Sequence, residues 1–194
     1  MVTQKNKTSA GAKWLQLVYK RLWNSKFNQL SIRGEHMTTV YDFKERTQGG
    51  QELDLQQFAG DVMVIVNTAS KCGLAPQLTE LQALYDQYQD EGFTIIGCPS
   101  NQFKQELDDA SEIGAFCQKN YGVTFPMTEM MAVNGDETAP LFDYLKAESG
   151  HGRIKWNYTK FLVGRDGQLI ARYAPTTAPS KMVKDIERAL AATK

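Results

Sequence analysis

Cys72 is the residue with the clearest potential for chemistry in this sequence. It lies between an apolar, β-branched run at residues 62–66 and a periodic apolar pattern that begins at Leu78. The run predicts a strand buried on both faces, and the pattern predicts an amphipathic helix. In such a strand-to-helix loop, backbone N–H groups and the helix dipole favour a thiolate, and Lys71 adds positive charge. Cys72 is therefore a candidate nucleophile, and an inert buried thiol is the alternative.

Alternating strand and helix patterns must position this cysteine. Apolar spacing and turn residues predict an N-terminal hairpin at 38–43 and 52–55, strands at 62–66 and 93–97, helices at 78–88, 113–121 and after Pro140, a second hairpin at 161–173, and a last helix at 182–190. This order predicts a thioredoxin-like α/β fold, in which a central mixed sheet has helices on both faces.

The zero net charge of the 194-residue chain is the sum of two unlike segments. Residues 1–36 carry seven basic residues and one acidic residue, which leaves 15 basic and 21 acidic residues for 37–194. We interpret 1–36 as a basic N-terminal extension, either disordered or a non-native tail before a start at Met37. A short amphipathic patch at 14–23 leaves contact with a membrane surface open. Residues 37–194 form the predicted folded domain.

Composition excludes several classes of protein. No apolar run approaches the roughly 18 residues that a membrane-spanning helix needs. The three cysteines, at positions 72, 98 and 117, form no C-x-x-C pair, and the sequence has two histidines, so neither a disulfide framework nor a metal site is expected. Reduced thiols favour a cytoplasmic location. We expect no nucleic-acid partner.

Three segments carry a more specific signal. They are residues 67–74 (Asn-Thr-Ala-Ser-Lys-Cys-Gly-Leu), 101–106 (Asn-Gln-Phe-Lys-Gln-Glu) and 155–162 (Lys-Trp-Asn-Tyr-Thr-Lys-Phe-Leu). In order and separation they resemble the signature blocks of the glutathione peroxidase family in its cysteine-containing form. Further similarity extends over about residues 38–192.

The resemblance implies an activity and a set of site residues. The family reduces hydrogen peroxide and organic or lipid hydroperoxides with a peroxidatic thiol or selenol held by Gln, Trp and Asn, which correspond here to Cys72, Gln105, Trp156 and Asn157. The loop before Gln105 is one residue shorter than usual, so Gln102 is an alternative. Amide and indole N–H groups can stabilise a thiolate and a leaving alkoxide. No metal or organic cofactor is expected.

The resemblance also indicates how the oxidised thiol is restored. Thioredoxin-dependent relatives carry a resolving cysteine in the region of Cys117, and a core position is the alternative for this residue. Cys98 ends a predicted strand and is expected to be structural. About twenty residues join Asn134-Gly135 to Trp156, without the interface segment of tetrameric, glutathione-using relatives. We therefore expect a monomer reduced by thioredoxin, with glutathione as the alternative donor and a redox relay as the alternative role.

Overall fold

A computed structural model describes residues 38–150 and 152–192. The predicted extension at 1–36 lies outside the described residues. The strands are β1 (Lys44–Arg46), β2 (Glu52–Asp54), β3 (Val62–Thr68), β4 (Phe93–Pro99), β5 (Lys160–Val163) and β6 (Leu169–Tyr173). The helices are α1 (Gln77–Tyr88), α2 (Ile113–Tyr121), α3 (Pro140–Glu148) and α4 (Val183–Ala191). No helix in this described part of the chain has the length and apolar character to cross a membrane.

The central sheet is built around β3, the strand that the apolar run predicts. β3 pairs in parallel with β4 and antiparallel with β5, and β6 pairs with β5, so the strand order is β4-β3-β5-β6. Every residue of β3 is buried, as expected for an apolar strand covered on both faces. Because β3 and β4 are parallel, both end at the same edge of the sheet, and the Cys72 loop leaves β3 there.

Alternate residues of β3 supply two cores on opposite faces of the sheet. Val62, Val64 and Val66 pack in one core with residues of α1, α2 and α4. Met63 and Ile65 pack in the other core with residues of α3 and the β1–β2 hairpin. The predicted mixed sheet with helices on both faces and an N-terminal hairpin is therefore confirmed.

The predicted first strand of that hairpin is wrong in its position. Residues Val40–Asp42 form a short 3-10 helix, and the strand follows it at Lys44–Arg46. The Thr39 hydroxyl accepts a hydrogen bond from the N–H of Tyr41, and the Asp42 carboxylate accepts one from the N–H of Thr39. These local bonds offer the backbone an alternative to the strand ladder, which explains the difference.

Arg165 joins three parts of the fold, and its replacement is expected to cost stability. Its guanidinium donates to the carbonyl oxygens of Gly60 (2.7 Å), Glu91 (3.0 Å) and Leu190 (3.0 and 3.3 Å). Because charge-assisted bonds at a partly buried site are worth more than exposed ion pairs, Arg165→Met should lower the free energy of unfolding by about 2–3 kcal/mol.

Urea unfolding measures this effect, with Arg188→Met as the matched control. Arg188 is 76% exposed in its side chain and pairs with Asp185 on the surface of α4, so its loss should cost less than about 1 kcal/mol. Equal losses of stability in the two variants would contradict the joining role of Arg165.

Candidate active site

Cys72 lies in a tight series of turns between β3 and α1. The residue is 5% exposed and belongs to the core on the α1 face of the sheet. The N–H of Leu74 donates to the Cys72 sulfur at 3.4 Å, and the N–H of Ala75 donates to the Cys72 carbonyl at 2.9 Å. α1 itself begins at Gln77, so the hydrogen-bond donor at the sulfur comes from the preceding turn rather than from the first turn of the helix.

Two further loops meet the Cys72 loop. The N–H of Lys71 donates to the carbonyl of Gln105 at 2.8 Å, which fixes the 101–106 loop beside the cysteine. The Gln105 side-chain oxygen accepts from the amide of Asn157 at 3.1 Å. Asn157 is fully buried, and its own Oδ1 has no hydrogen-bond partner among the described residues. The structure thus joins the three sequence segments that the resemblance singles out.

Gln102, the alternative to Gln105, has a different environment. Its side-chain oxygen accepts from the N–H groups of Val133 (2.9 Å) and Asn134 (2.8 Å), and its nitrogen donates to the Asn134 carbonyl at 2.7 Å. This amide therefore holds the 133–134 backbone. The contact with Asn157 favours Gln105 as the site amide.

Trp156 is accessible at the surface. It is 40% exposed, and its ring centroid lies 5.2 Å from that of Phe103. Since Phe103 belongs to the same loop as Gln105, this aromatic contact places Trp156 next to the loop that meets Cys72. An exposed Trp argues against a role in core packing and leaves the indole available to a ligand.

Asn67 and Tyr158 anchor the loop of Trp156 and Asn157, and neither residue has a role that the sequence predicts. Asn67 is fully buried; its side chain donates to the Trp156 carbonyl at 3.3 Å and accepts from the N–H of Thr159 at 3.0 Å. Tyr158 has a left-handed backbone (φ 66°), unusual for a bulky residue. Its N–H donates to the Asn67 carbonyl at 2.6 Å, and its hydroxyl donates to the Ala69 carbonyl at 2.9 Å. One feature of the sequence could have indicated this role of Asn67: it is a polar residue that directly follows the apolar run at 62–66.

The three cysteines occupy two different cores, and all three carry free thiols. Cys117 lies on α2, is 1% exposed and shares the core of Cys72. Burial first, and then the Glu106 carboxylate, raise the pKa of the Cys117 thiol to about 12, against an opposing effect of the Ser70 hydroxyl. Cys98 is fully buried in the core on the opposite face, and this burial raises its pKa strongly. Cys117 is thus better placed than Cys98 to meet Cys72.

Lys71 is the basic residue that the sequence places directly before Cys72. The Lys71 side chain is exposed, and its ammonium lies 3.9 Å from the Asp108 carboxylate. Among the residues that the structure describes, no group of three or more His, Cys, Asp or Glu side chains is arranged to hold a metal ion. His151 lies outside the described residues.

Comparison with known proteins decides the family. The glutathione peroxidase family model matches residues 40–146. The glutathione peroxidase homolog BsaA of Halalkalibacterium halodurans is 51% identical over 156 residues, which are 78% of this chain and 99% of that protein. The chain belongs to the glutathione peroxidase family. The predicted family and its peroxidase class are therefore confirmed.

Other relatives extend this result. The glutathione peroxidase-like peroxiredoxin gpx1 of Schizosaccharomyces pombe is 46% identical over 158 residues, 79% of this chain and all of that protein. The crystal structure of Trgpx in its apo form has a TM-score of 0.68 at 38% identity, covering 81% of this chain and 98% of the other. A thioredoxin family thiol:disulfide interchange protein of Chlorobium tepidum, at 18% identity, has a TM-score of 0.56 over 76% of this chain and 92% of its own. This last likeness concerns the fold alone and confirms its thioredoxin-like class.

Proposed function

We propose that this family member is a thiol peroxidase that reduces hydrogen peroxide and organic or lipid hydroperoxides through Cys72 and is itself reduced by thioredoxin. The observation that carries the proposal is the meeting of the Cys72 loop with the Gln105–Asn157 pair, through the bonds from Lys71 to Gln105 and from Asn157 to Gln105. This arrangement brings neutral hydrogen-bonding side chains to the loop beside the cysteine, and such groups stabilise charge without titrating.

The first step oxidises Cys72. Its thiolate attacks one peroxide oxygen, the O–O bond breaks, and the released alkoxide or hydroxide takes a proton to leave as alcohol or water, with a sulfenic acid on sulfur. Trp156 is 40% exposed, so its indole can donate to the leaving oxygen, and the buried amide of Asn157 donates to Gln105 and so orients that side chain.

The second step restores the thiol. The Cys117 sulfur attacks the Cys72 sulfenic acid, the S–O bond breaks with loss of water, and a disulfide forms. A thioredoxin dithiol then reduces that disulfide by thiol exchange. The shared core of Cys72 and Cys117 supports this pairing over one with Cys98. We propose the cytoplasm as the location and a monomer as the working form.

The donor is tested by peroxide-dependent NADPH consumption. Thioredoxin with its reductase is compared with glutathione and its reductase, for hydrogen peroxide and for an organic hydroperoxide. We expect turnover with thioredoxin that exceeds turnover with glutathione. Faster turnover with glutathione than with thioredoxin would identify glutathione as the donor. No turnover with either donor would contradict the proposed peroxidase activity. Slow turnover together with a trapped mixed disulfide to another protein would instead favour a redox relay.

Trp156→Phe is expected to slow the oxidation step. The variant keeps an aromatic ring beside Phe103 and removes the indole N–H, a donor for charge that develops on oxygen. The second-order rate constant of Cys72 with hydrogen peroxide should fall about 100- to 1,000-fold, as for the loss of one preorganised donor. Stopped-flow competition measures this constant. Ile170→Ala, at a 51% exposed position on β6, is the control and should react at the parent rate. An unchanged rate in Trp156→Phe would remove the indole from the mechanism.

A further inference from the structure

Asn134 is a buried polar residue to which the proposed mechanism gives no role. It is 6% exposed, and a buried amide side chain needs hydrogen-bond partners. Its partners are both backbone groups of Ile154: the Asn134 Nδ2 donates to the Ile154 carbonyl at 2.9 Å, and its Oδ1 accepts from the Ile154 N–H at 2.9 Å. Ile154 is itself fully buried and lies two residues before Trp156. The Asn134 side chain therefore fixes the backbone that leads into Trp156.

Gln102 holds the backbone of Asn134 in a similar way. Its Oε1 accepts from the Asn134 N–H at 2.8 Å, and its Nε2 donates to the Asn134 carbonyl at 2.7 Å. Gln102 directly precedes Phe103, the residue whose ring contacts Trp156. Two amide side chains thus connect the residue before Phe103 to the residue two positions before Trp156.

The aromatic contact closes this connection into a ring. The centroids of Phe103 and Trp156 are 5.2 Å apart, and the two rings are tilted by 48°. Residues 152–155 belong to no helix or strand, so the position of this segment depends on bonds from side chains. Arg172 adds two such bonds, to the carbonyls of Gly152 at 3.1 Å and Arg153 at 3.0 Å. Side chains therefore hold three consecutive residues, 152–154, just before Trp156.

On the basis of the proposed peroxidase function, we propose that Asn134 is a positioning residue that, together with Gln102, holds the Trp156 indole beside the loop of Gln105. Trp156 is 40% exposed, so burial alone does not fix its orientation. A donor that is held in place before the peroxide arrives stabilises developing charge without reorganising during the reaction. Asn134 acts on the reaction through Trp156.

The first test measures the motion of the Trp156 ring. The sequence has three tryptophans, so replacing Trp14 and Trp23 by phenylalanine leaves Trp156 as the single fluorophore. In this chain we expect Asn134→Ala to lower the steady-state anisotropy of the fluorescence, because loss of the two bonds to Ile154 allows motion on the nanosecond timescale. Unchanged anisotropy in a folded Asn134→Ala would overturn the proposal.

Gln57→Ala is the matched control for this measurement. Gln57 is exposed, and its amide donates to the Asp54 carbonyl at 2.9 Å, so the variant also removes an amide bond to a backbone carbonyl. Its anisotropy should equal that of the parent. If circular dichroism shows that Asn134→Ala does not fold, Gln102→Ala decides, since Gln102 is an exposed residue whose loss frees the Asn134 backbone. Parent anisotropy in Gln102→Ala would then overturn the proposal.

The second test is a double-mutant cycle on the rate of Cys72 oxidation by hydrogen peroxide. Asn134→Ala should lower the rate constant about 10- to 100-fold, as for a displaced catalytic group. In Trp156→Phe the same change should cost at most about twofold, because the donor that Asn134 positions is already absent. Equal falls in the two chains, or no fall in either, would overturn the positioning role. A parent chain that does not react with peroxide would contradict the proposed function, whereas the anisotropy would still test the hold on Trp156.

Discussion

Replacing Cys72 with serine is expected to abolish peroxide turnover with every donor. A serine hydroxyl is not ionised near neutral pH and forms no sulfenic acid, so neither the attack nor the redox step is available. The loss should exceed about a thousandfold, the scale seen when a covalent nucleophile is removed. The fold should survive, because serine is close in size to cysteine and its hydroxyl can accept the hydrogen bond that the N–H of Leu74 donates to the Cys72 sulfur.

The matched control for this change is Cys98→Ala. Cys98 is fully buried in the core on the opposite face of the sheet, so its replacement should lower stability while the rate remains within about twofold of the parent. NADPH consumption measures both variants under the same donor conditions, and urea unfolding checks that each is folded. Full activity in Cys72→Ser, or loss of activity in a folded Cys98→Ala, would contradict the assignment of the nucleophile.

Replacing Cys117 with serine is expected to separate the two halves of the cycle. The first oxidation of Cys72 needs no second thiol, so one equivalent of hydrogen peroxide should still react at the parent rate. The sulfenic acid then has no intramolecular partner, and steady turnover with thioredoxin should fall at least about a hundredfold. Intact mass after one equivalent should show the addition of one oxygen, which is retained.

Ala115→Ser is the control for this second prediction. Ala115 is an exposed residue of the same helix, α2, so a hydroxyl there should leave the cycle unchanged. A disulfide holds its sulfurs at about 2.05 Å, and both thiols are free and buried in the structure, so the two sulfurs must approach each other in each cycle. Steady thioredoxin turnover that survives in Cys117→Ser would assign the resolving role elsewhere.

The elements with strong apolar patterns could be predicted from the sequence. The helix expected at 113–121 is present as Ile113–Tyr121, and the strand expected at 62–66 is present as Val62–Thr68. Apolar periodicity reports burial, and burial determines these elements. The first strand of the N-terminal hairpin was misplaced because Thr39 and Asp42 cap a short helix that competes with the strand.

The site could be predicted in part. The segments came from a family resemblance, but the choice between Gln105 and Gln102 depends on a contact across 52 residues, from Asn157 to Gln105. The role of Asn67 likewise depends on a bond from the backbone N–H of Thr159, which lies 92 residues away in the sequence. Such partners are determined by the tertiary fold, and residue spacing does not indicate them.

The most direct test of the account is a peptide map of the reduced protein after one equivalent of hydrogen peroxide, with remaining thiols alkylated. We predict one linked peptide pair that joins Cys72 to Cys117, with Cys98 alkylated as a free thiol. Peroxide consumed while Cys72 is recovered as a free thiol, or a link between Cys72 and Cys98, would contradict the account.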